Sequence, residues 1–196
     1  MSLMADSFTL PDTTAPLDLE ERLAKLPAGL TVKGMFLKSI GDAAAAVSRA
    51  KHGRGHWLAF KDYPLQEWLQ LLVECGRVVH PRASPREGIR RLGQRAYPAF
   101  AESNVGRVVM SIAGNNLAAA LRQAPRAYAV SSNSATLEIG SMTEGSAILH
   151  LRGAWDFPEA WGIDVFEGVI QAFRRQGTVR VRTLSLCDVD LEITWK

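Results

Sequence analysis

Two histidines four residues apart, His52 and His56, have the spacing in this sequence that best suits metal binding. Such a pair can bind one metal ion when a helix places both rings on the same face. Gly53 and Gly55 interrupt a helix in this segment. The nearest carboxylate is Asp62, and no cysteine or acidic cluster completes a set of ligands. We therefore expect exposed loop histidines here and no metal site.

Motifs for phosphate binding and for hydrolysis are absent from the sequence. The glycines near His52 are not followed by Lys-Ser/Thr, and no Gly-x-Gly-x-x-Gly occurs. No Gly-x-Ser-x-Gly elbow marks a nucleophilic serine. Asp188, Asp190 and Glu192 have alternate spacing, which predicts one solvent face of a strand. We assign no catalytic residue and favour a non-enzymatic protein.

Arginine is the abundant basic residue, with 17 arginines against 6 lysines. Arg86, Arg90 and Arg95 can form a strip on one helix, and Arg180 and Arg182 share one face of a strand. Arginine pairs bidentately with carboxylates and phosphates, so these strips suit intramolecular pairing, an acidic ligand, a protein partner or nucleic acid. Aromatic residues do not interleave with them, which argues against nucleic acid as a partner.

Apolar periodicity predicts helices through the first two thirds of the chain. Residues 30–40 suit either a helix or a strand. Ser84-Pro85-Arg86-Glu87 predicts a helix start in which the serine caps and the glutamate bonds back to it. Pro98 should kink or end that helix. The predicted helices cover residues 18–26, 42–50, 63–80, 84–100, 105–112 and 117–123.

Alternating apolar residues predict a sheet in the last third of the chain. One helix, over residues 161–176, interrupts the strands and should stop at Gly177. Cys187-Asp188 should form the turn of the last hairpin. The predicted strands cover residues 126–132, 135–141, 147–152, 179–186 and 189–195.

These elements predict an α+β fold in which an N-terminal helical half packs on a C-terminal antiparallel sheet with one inserted helix. Residues 1–16 are polar and aperiodic, so we expect a flexible N-terminal arm that begins with residues of a cloning vector. Residues 17–196 should form a single domain, because 196 residues suit one domain and no linker or repeat divides them.

Five glycines lie inside predicted helices, where each costs about 1 kcal/mol relative to alanine. Their purpose is either close packing between helices or the approach of a small ligand. They are Gly76, Gly88, Gly93, Gly106 and Gly168.

The composition is that of a globular protein, with a net charge of +3, 47% hydrophobic residues and 22% charged residues. We see no secretory signal and no apolar run long enough to span a membrane, so we expect a cytoplasmic location and no membrane partner. Two cysteines, Cys75 and Cys187, are too few for a disulfide framework and suit free thiols.

Four segments together resemble an uncharacterised paralogous family of myxobacterial proteins, and the resemblance covers most of residues 30–196. That family implies no known activity. The segments are YPLQEWLQLL (63–72), SPREGIRRLGQRAYPAFAESNVGRV (84–108), APRAYAV (124–130) and DVFEGVIQAFRRQGTVRVRTLSLCDVDLEITW (164–195).

The order of elements is more distantly similar to a ligand-binding fold shared by haem nitric-oxide sensors, vinyl-reductase-like sensor domains and Golgi-transport tethering subunits. The shared features are helices before an antiparallel sheet and a Phe-x-Gly-type helix, here 166–168, before the last hairpin. The haem branch has a Tyr-x-Ser-x-Arg motif. The segment of this sequence that comes nearest to that motif, Tyr128 to Ser131, has different spacing and no arginine. We therefore expect no haem, metal or other cofactor.

We expect a cytoplasmic, homodimeric module that senses a small ligand or binds a protein partner. Its ligand-site candidates are Arg95 and Tyr97, where the helix should kink, and Glu167, beside the helix glycine Gly168. One alternative is an enzyme with an unrecognised site around Arg95, Tyr97 and Glu102. A second alternative is nucleic-acid binding through the arginine strips.

Overall fold

The computed structural model describes residues 7–48 and 56–196. His52 lies outside the described residues, and His56 is exposed. The α-helices are Leu19–Lys25 (α1), Gly34–Val47 (α2), Leu65–Val79 (α3), Pro85–Leu92 (α4), Ala96–Ala101 (α5), Asn104–Ser111 (α6), Leu117–Arg122 (α7), Ala124–Ser131 (α8) and Ile163–Ala172 (α9). A 3₁₀ turn, Gly93–Arg95, joins α4 to α5, and a π-helical turn, Pro158–Gly162, precedes α9.

Two antiparallel sheets complete the secondary structure. The strands are Thr31–Lys33 (β1), Asp62–Pro64 (β2), Thr136–Met142 (β3), Ser146–Arg152 (β4), Gly177–Thr183 (β5) and Val189–Trp195 (β6). The larger sheet has the order β3-β4-β6-β5, and β1 pairs with β2. Because the helices come first and one helix is inserted in the C-terminal sheet, the predicted α+β class is confirmed. None of the described helices is long and apolar enough to cross a lipid bilayer.

The structure has two main hydrophobic cores, which meet at α9. The helical core lies around the buried Trp68 of α3 and includes residues of α2 and α4. The sheet core lies between α9 and the inner face of the large sheet, where Leu149 of β4 is paired with Leu191 of β6. Strand residues alternate between this core and the outer face because successive side chains point to opposite sides of a strand.

The start of α4 confirms half of the predicted capping pattern. Ser84 is the N-cap and accepts a hydrogen bond from the Glu87 amide at 3.1 Å, with Pro85 at the first helical position. The predicted hydrogen bond from the Glu87 side chain back to the serine does not form. The Glu87 carboxylate accepts a hydrogen bond from Arg91 at 2.8 Å instead. The helix break comes at the 3₁₀ turn just before α5 because Pro98 has no amide hydrogen to bond to the preceding turn.

Two element predictions were wrong. Residues predicted as a strand over 126–132 form most of α8, since Pro125 suits a first helical turn and alanines favour a helix. The inserted helix does not stop at Gly177, which begins β5. Instead Arg174 takes a left-handed conformation with φ 54°, and the Arg174 and Arg175 amides bond to carbonyls of the last turn.

The ambiguous segment 30–40 contains both predicted structures. Residues 31–33 form β1, and α2 begins directly afterwards at Gly34. A side chain at Gly34 would lie 2.3 Å from the Leu58 carbonyl oxygen, so only glycine fits at this junction. The change from strand to helix within a few residues explains why neither periodicity dominates the sequence.

The five helix glycines pack closely against backbone atoms. A Cβ atom at Gly88 would lie 2.9 Å from the Gly76 carbonyl oxygen, and one at Gly168 would lie 2.9 Å from the Gln94 Cα atom. A Cβ atom at Gly93 would lie 2.6 Å from the Trp161 carbonyl oxygen. Close packing, one of the two predicted purposes, is therefore what these glycines provide.

The described part of the N-terminal arm contacts both the sheet and α4. Thr9 forms two backbone hydrogen bonds with Val181 of β5, at 2.9 and 2.8 Å. Arg86 donates to the Ala15 and Pro16 carbonyl oxygens at 3.2 and 2.9 Å. The flexibility expected for residues 1–16 and the single domain expected over 17–196 stay predictions.

Candidate ligand cavity

A cavity of about 110 Å³ lies where the helical core, the sheet core and α8 meet. Four residues of α8 follow helical spacing along its wall: Ala124, Ala127, Tyr128 and Ser131. Two alanines in this stripe leave room that larger side chains would fill. The remaining wall comes mainly from α5, α7 and α9, with single residues of α2, α3, α6 and the π-helical turn. A ligand in this space would contact both halves of the fold.

Seven aromatic residues give the cavity its largely apolar lining. Trp68 and Trp161 meet edge to face with ring centroids 5.0 Å apart. Tyr128 and Phe166 stack with an interplanar angle of 7° and centroids 6.3 Å apart. Aromatic faces carry partial negative charge, which attracts cations as well as apolar groups. The seven are Phe36, Trp68, Tyr97, Phe100, Tyr128, Trp161 and Phe166.

Asp156 is the single residue with a formal charge among the described residues that line the cavity. Burial raises the pKa of its carboxyl, and the neighbouring Glu159 adds to that shift. The Asp156 backbone amide, the Trp68 indole and the more distant Arg22 guanidinium act in the opposite direction. The residue keeps part of its surface accessible, and its carboxyl lies in an apolar environment.

The polar atoms around Asp156 are incompletely hydrogen-bonded. The Trp68 indole N–H is buried and lies near enough to lower the pKa of Asp156, yet no hydrogen bond of good geometry forms. By contrast, the Ser131 and Ser132 hydroxyls already donate to backbone carbonyl oxygens at 2.6 Å. Burial also raises the pKa of Tyr128, and the Asp156 charge raises it further. A buried donor without a partner is costly, so this N–H favours the charged form of the neighbouring Asp156 carboxyl.

The loop that carries Asp156 is held from both sides. Before it, the Gly153 amide donates to the Asp188 carboxylate at 2.9 Å, and the Ala154 amide donates to the Cys187 carbonyl oxygen at 2.8 Å. After it, Phe157 is fully buried in a left-handed conformation with φ 57°. Such strain persists only where the surroundings hold the backbone, and it is common at binding sites.

A buried ion pair fixes the other side of this loop. Arg22 of α1 is 3% exposed and lies over the Phe157 ring, 4.4 Å from its centroid. Its guanidinium pairs with Glu159 at 2.5 Å and donates to the Leu186 carbonyl oxygen at 2.6 Å. The Arg22 guanidinium therefore binds Glu159 and backbone carbonyl oxygens, and it makes no ion pair with Asp156.

The predicted ligand-site residues separate in the structure. Tyr97 lines the cavity, where burial raises its pKa and its ring packs 6.1 Å from that of Phe173. Arg95 and Glu102 are exposed. Glu167 lies outside the lining and pairs with Arg90. The ligand-binding role assigned to Arg95, Tyr97 and Glu167 stays a prediction.

The arginine strips pair largely within the protein. Arg86 pairs with Glu159 at 3.3 Å, and Arg180 pairs with Glu192 across two strands. The predicted solvent-facing position of Asp190 was wrong, since this residue is 2% exposed. Hydrogen bonds from Arg182, His150 and Arg152 at 2.6 to 2.7 Å enclose its carboxylate. Burial alone would raise the pKa of Asp190, but these bonds outweigh it and hold the pKa at about 2.

Sequence reasoning missed Asp156 and Trp68 as cavity residues. Trp68 fits the apolar face of a helix, and nothing in its spacing distinguishes a cavity wall from a filled core. The available signal was an isolated aspartate between Trp155 and Phe157, in a segment bounded by Gly153 and Pro158. A lone carboxylate among aromatic residues is unusual because burying its charge is costly.

Comparisons with known proteins identify the fold. An H-NOX protein from K. algicida in its unliganded Fe(II) state is similar with a TM-score of 0.60 and 12% identity, over 84% of this chain and 96% of that one. An H-NOX domain from Shewanella oneidensis in its Fe(II)CO state has a TM-score of 0.60 and 12% identity, over 84% and 98% of the two chains. A structure described as probing haem distortion in the H-NOX family has a TM-score of 0.58 and 12% identity, over 83% and 92%.

These similarities confirm the distant resemblance to the haem nitric-oxide sensor fold. At 12% identity they concern the fold alone. No curated protein matches the chain by sequence. The profile of a family described as "Protein of unknown function (DUF2378)" matches residues 26–196.

Proposed function

Since the chain belongs to the DUF2378 family of proteins of unknown function, with the fold of H-NOX domains, we propose that it is a non-enzymatic module that senses a small organic ligand. The observation that carries this proposal is the cavity between its two cores. A ligand there would touch α3, α8 and α9 together. Binding can therefore shift their relative positions, provided that the ligand contacts one arrangement better than another.

Haem is the group that the fold family implies, and the residues of this cavity do not fit it. Among the described lining residues there is no histidine or cysteine to bind the iron. Tyr128 is a poor iron ligand because burial raises its pKa and so disfavours the phenolate form. Met110 is the one residue with a sulfur donor among the described lining residues. The 110 Å³ volume is below the roughly 300–1,000 Å³ of most cofactor pockets.

The two alternative functions have less support. An enzyme built on Arg95, Tyr97 and Glu102 requires these residues in one site, but only Tyr97 lines the cavity. Binding of nucleic acid through the arginine strips requires free guanidinium groups, but Arg86, Arg90, Arg180 and Arg182 pair with carboxylates of the protein. A sensor also needs an output, for which we propose a homodimer in the cytoplasm or a protein partner.

The test is a thermal-shift series with four single-ring probes of similar shape: toluene, benzyl alcohol, benzylamine and benzoate. We expect at least one probe to raise the Tm of the protein, since binding at 100 times Kd adds about 2.7 kcal/mol to the free energy of unfolding. Ala127→Phe should abolish the shift because it fills the cavity from α8. Ala129→Phe is the matched control, since Ala129 is exposed on the same helix and does not line the cavity.

Two outcomes would overturn the proposed function. The first is that no probe raises the Tm of the unmodified protein. The second is that Ala127→Phe and Ala129→Phe respond alike, which would place the binding elsewhere. Native mass spectrometry adds an independent reading, because a mass above a whole multiple of the chain mass would reveal a ligand that purifies with the protein.

A further inference from the structure

The cavity combines an ionisable carboxyl group with aromatic walls. Its one formally charged lining residue is Asp156, and none of the described lysines, arginines or histidines lines the wall. Arg22 lowers the pKa of Asp156 from a distance, but its guanidinium pairs with Glu159, which is 8% exposed. In the described part of the chain, the Asp156 carboxylate therefore has no ion-pair partner.

The rings that form the wall would stabilise a positive charge. A cation within about 6 Å of an aromatic centroid is attracted to the ring face, and the attraction is larger where water is excluded. Trp68, which is 1% exposed, lies beside Asp156 and packs on Trp161. Tyr128 and Phe166 form a second, stacked pair in the same wall. Aromatic walls with a carboxylate are the surroundings that proteins use to hold organic ammonium groups.

We propose that the ligand of this cavity is a small organic ammonium ion, whose apolar body fills the space between the aromatic rings and whose cationic head pairs with Asp156. This inference rests on the proposed function, because it names the ligand class of the same site. An ammonium head donates up to three hydrogen bonds, and the carboxylate accepts them.

Charge decides between the ligand classes. An anion would place a second negative charge beside Asp156, and like charges in a buried site repel strongly. A neutral molecule could fill the apolar space but would leave the carboxylate without a counter-ion. An ammonium ion offsets the cost of burying the ionised carboxylate and so favours its charged form when the ligand binds. The volume of 110 Å³ restricts the apolar body to a few carbon atoms or one small ring.

The same probes test the proposal by the order of their affinities. In the unmodified protein, we expect benzylamine to bind at least about tenfold more tightly than benzyl alcohol, which matches the lower end of measured couplings between buried charges. Benzoate should bind more weakly than either. Isothermal titration calorimetry at pH 7, where benzylamine is cationic, gives the three dissociation constants.

The Asp156→Asn variant then tests whether the Asp156 charge causes the preference for benzylamine over benzyl alcohol. The variant should bind benzyl alcohol and benzylamine within about threefold of each other, because it keeps the shape of the side chain and removes the charge. Asp42→Asn is the matched control. It removes the same charge from an exposed position of α2, and it should keep the preference for benzylamine.

The outcomes separate the two proposals. Equal or tighter binding of benzyl alcohol by the unmodified protein overturns the ammonium ligand while leaving the cavity as a ligand site. A preference for benzylamine that survives Asp156→Asn also overturns it. Absence of binding by all four probes overturns the proposed function itself. If Asp156→Asn does not fold, the order of affinities in the unmodified protein still decides.

Discussion

Asp164 shows how one buried carboxyl can make the stability of this protein depend on pH. It is 1% exposed and accepts hydrogen bonds from the Gln94 amide and side chain at 3.1 and 3.3 Å. Burial raises the pKa of Asp164 to about 7, and the neighbouring Glu167 adds to the shift. Arg90, 3.8 Å away, acts in the opposite direction but does not outweigh burial.

The sign of the pH effect follows from the two pKa values of Asp164. Between an unfolded pKa of 3.8 and a folded pKa of about 7, the unfolded chain releases a proton that the folded protein retains. The contribution of Asp164 to stability is therefore fully present below pH 3.8 and is lost as the pH rises through 7. Asp164→Asn cannot ionise and should keep most of the hydrogen bonds.

We expect Asp164→Asn to gain stability relative to the unmodified protein as the pH rises from 5 to 8, by on the order of 2 kcal/mol. Urea unfolding at both pH values measures this difference. Asp42→Asn, at an exposed position, should show no such gain. A constant difference for Asp164→Asn across this pH range would contradict the raised pKa.

At the scale of elements, backbone contacts between helices determine how α3 and α4 cross. Gly76 and Gly88 meet at the crossing, and a Cβ atom at either position would lie about 3 Å from backbone of the other helix. Backbone atoms cannot rotate away as a flexible side chain can. The crossing therefore needs glycine on both helices, even though glycine weakens each helix by about 1 kcal/mol.

Gly88→Ala should destabilise the protein by about 1–2 kcal/mol, because overpacking at the crossing outweighs the gain in helix propensity. Gly162→Ala is the matched change in an open position, since its Cβ atom would make ordinary contacts of 3.8 and 3.9 Å and its backbone is already helical. We expect that variant to be neutral or stabilised by up to about 1 kcal/mol. Chemical unfolding compares the two, and equal effects would argue against the close crossing.

At the scale of the whole molecule, the N-terminal arm connects the two ends of the chain. Thr9 pairs with Val181 of the edge strand β5, and Phe8 lies under the Arg182 guanidinium, 4.9 Å from its carbon to the ring centroid. The same arm reaches α4 through Arg86 and the Ser84 hydroxyl. It also covers part of a strand edge that would otherwise be open to pairing with another chain.

Thr9→Pro should free the Val181 amide for hydrogen exchange, because proline cannot donate to the Val181 carbonyl oxygen and disturbs the pairing. A loss of about 1 kcal/mol corresponds to roughly fivefold faster exchange. Thr9→Val keeps the backbone donor and should leave the exchange rate unchanged. Fast exchange of Val181 in the unmodified protein would instead support the flexibility predicted for residues 1–16.

A single cooperative unfolding transition is the expected behaviour of residues 17–196, since α9 contributes to both the helical and the sheet core. Coincident transitions by tryptophan fluorescence and far-ultraviolet circular dichroism would check it. Trp68 reports on the helical core and Trp195 on the sheet core. Two separate transitions would instead indicate two domains.

The sequence by itself determined most of the elements and the class of the fold. Local rules were sufficient where one interaction dominates, as at the Ser84 cap or in the alternation of β4 and β6. They failed for α8, because residues 126–132 were assigned to a strand by their alternation, although Pro125 and the alanines favour a helix. They also failed at Arg174, where backbone hydrogen bonds stabilise a conformation that usually favours glycine.

Only the tertiary structure decided which residues form the candidate site. Asp156, Trp68 and Tyr128 belong to different segments, and their approach depends on long-range packing between the two cores. Burial likewise turned Asp190 from an expected surface charge into an enclosed ion pair. Charge, burial and empty space are properties of the assembled chain. Sequence periodicity can indicate which face of an element points inward, but not what that face meets there.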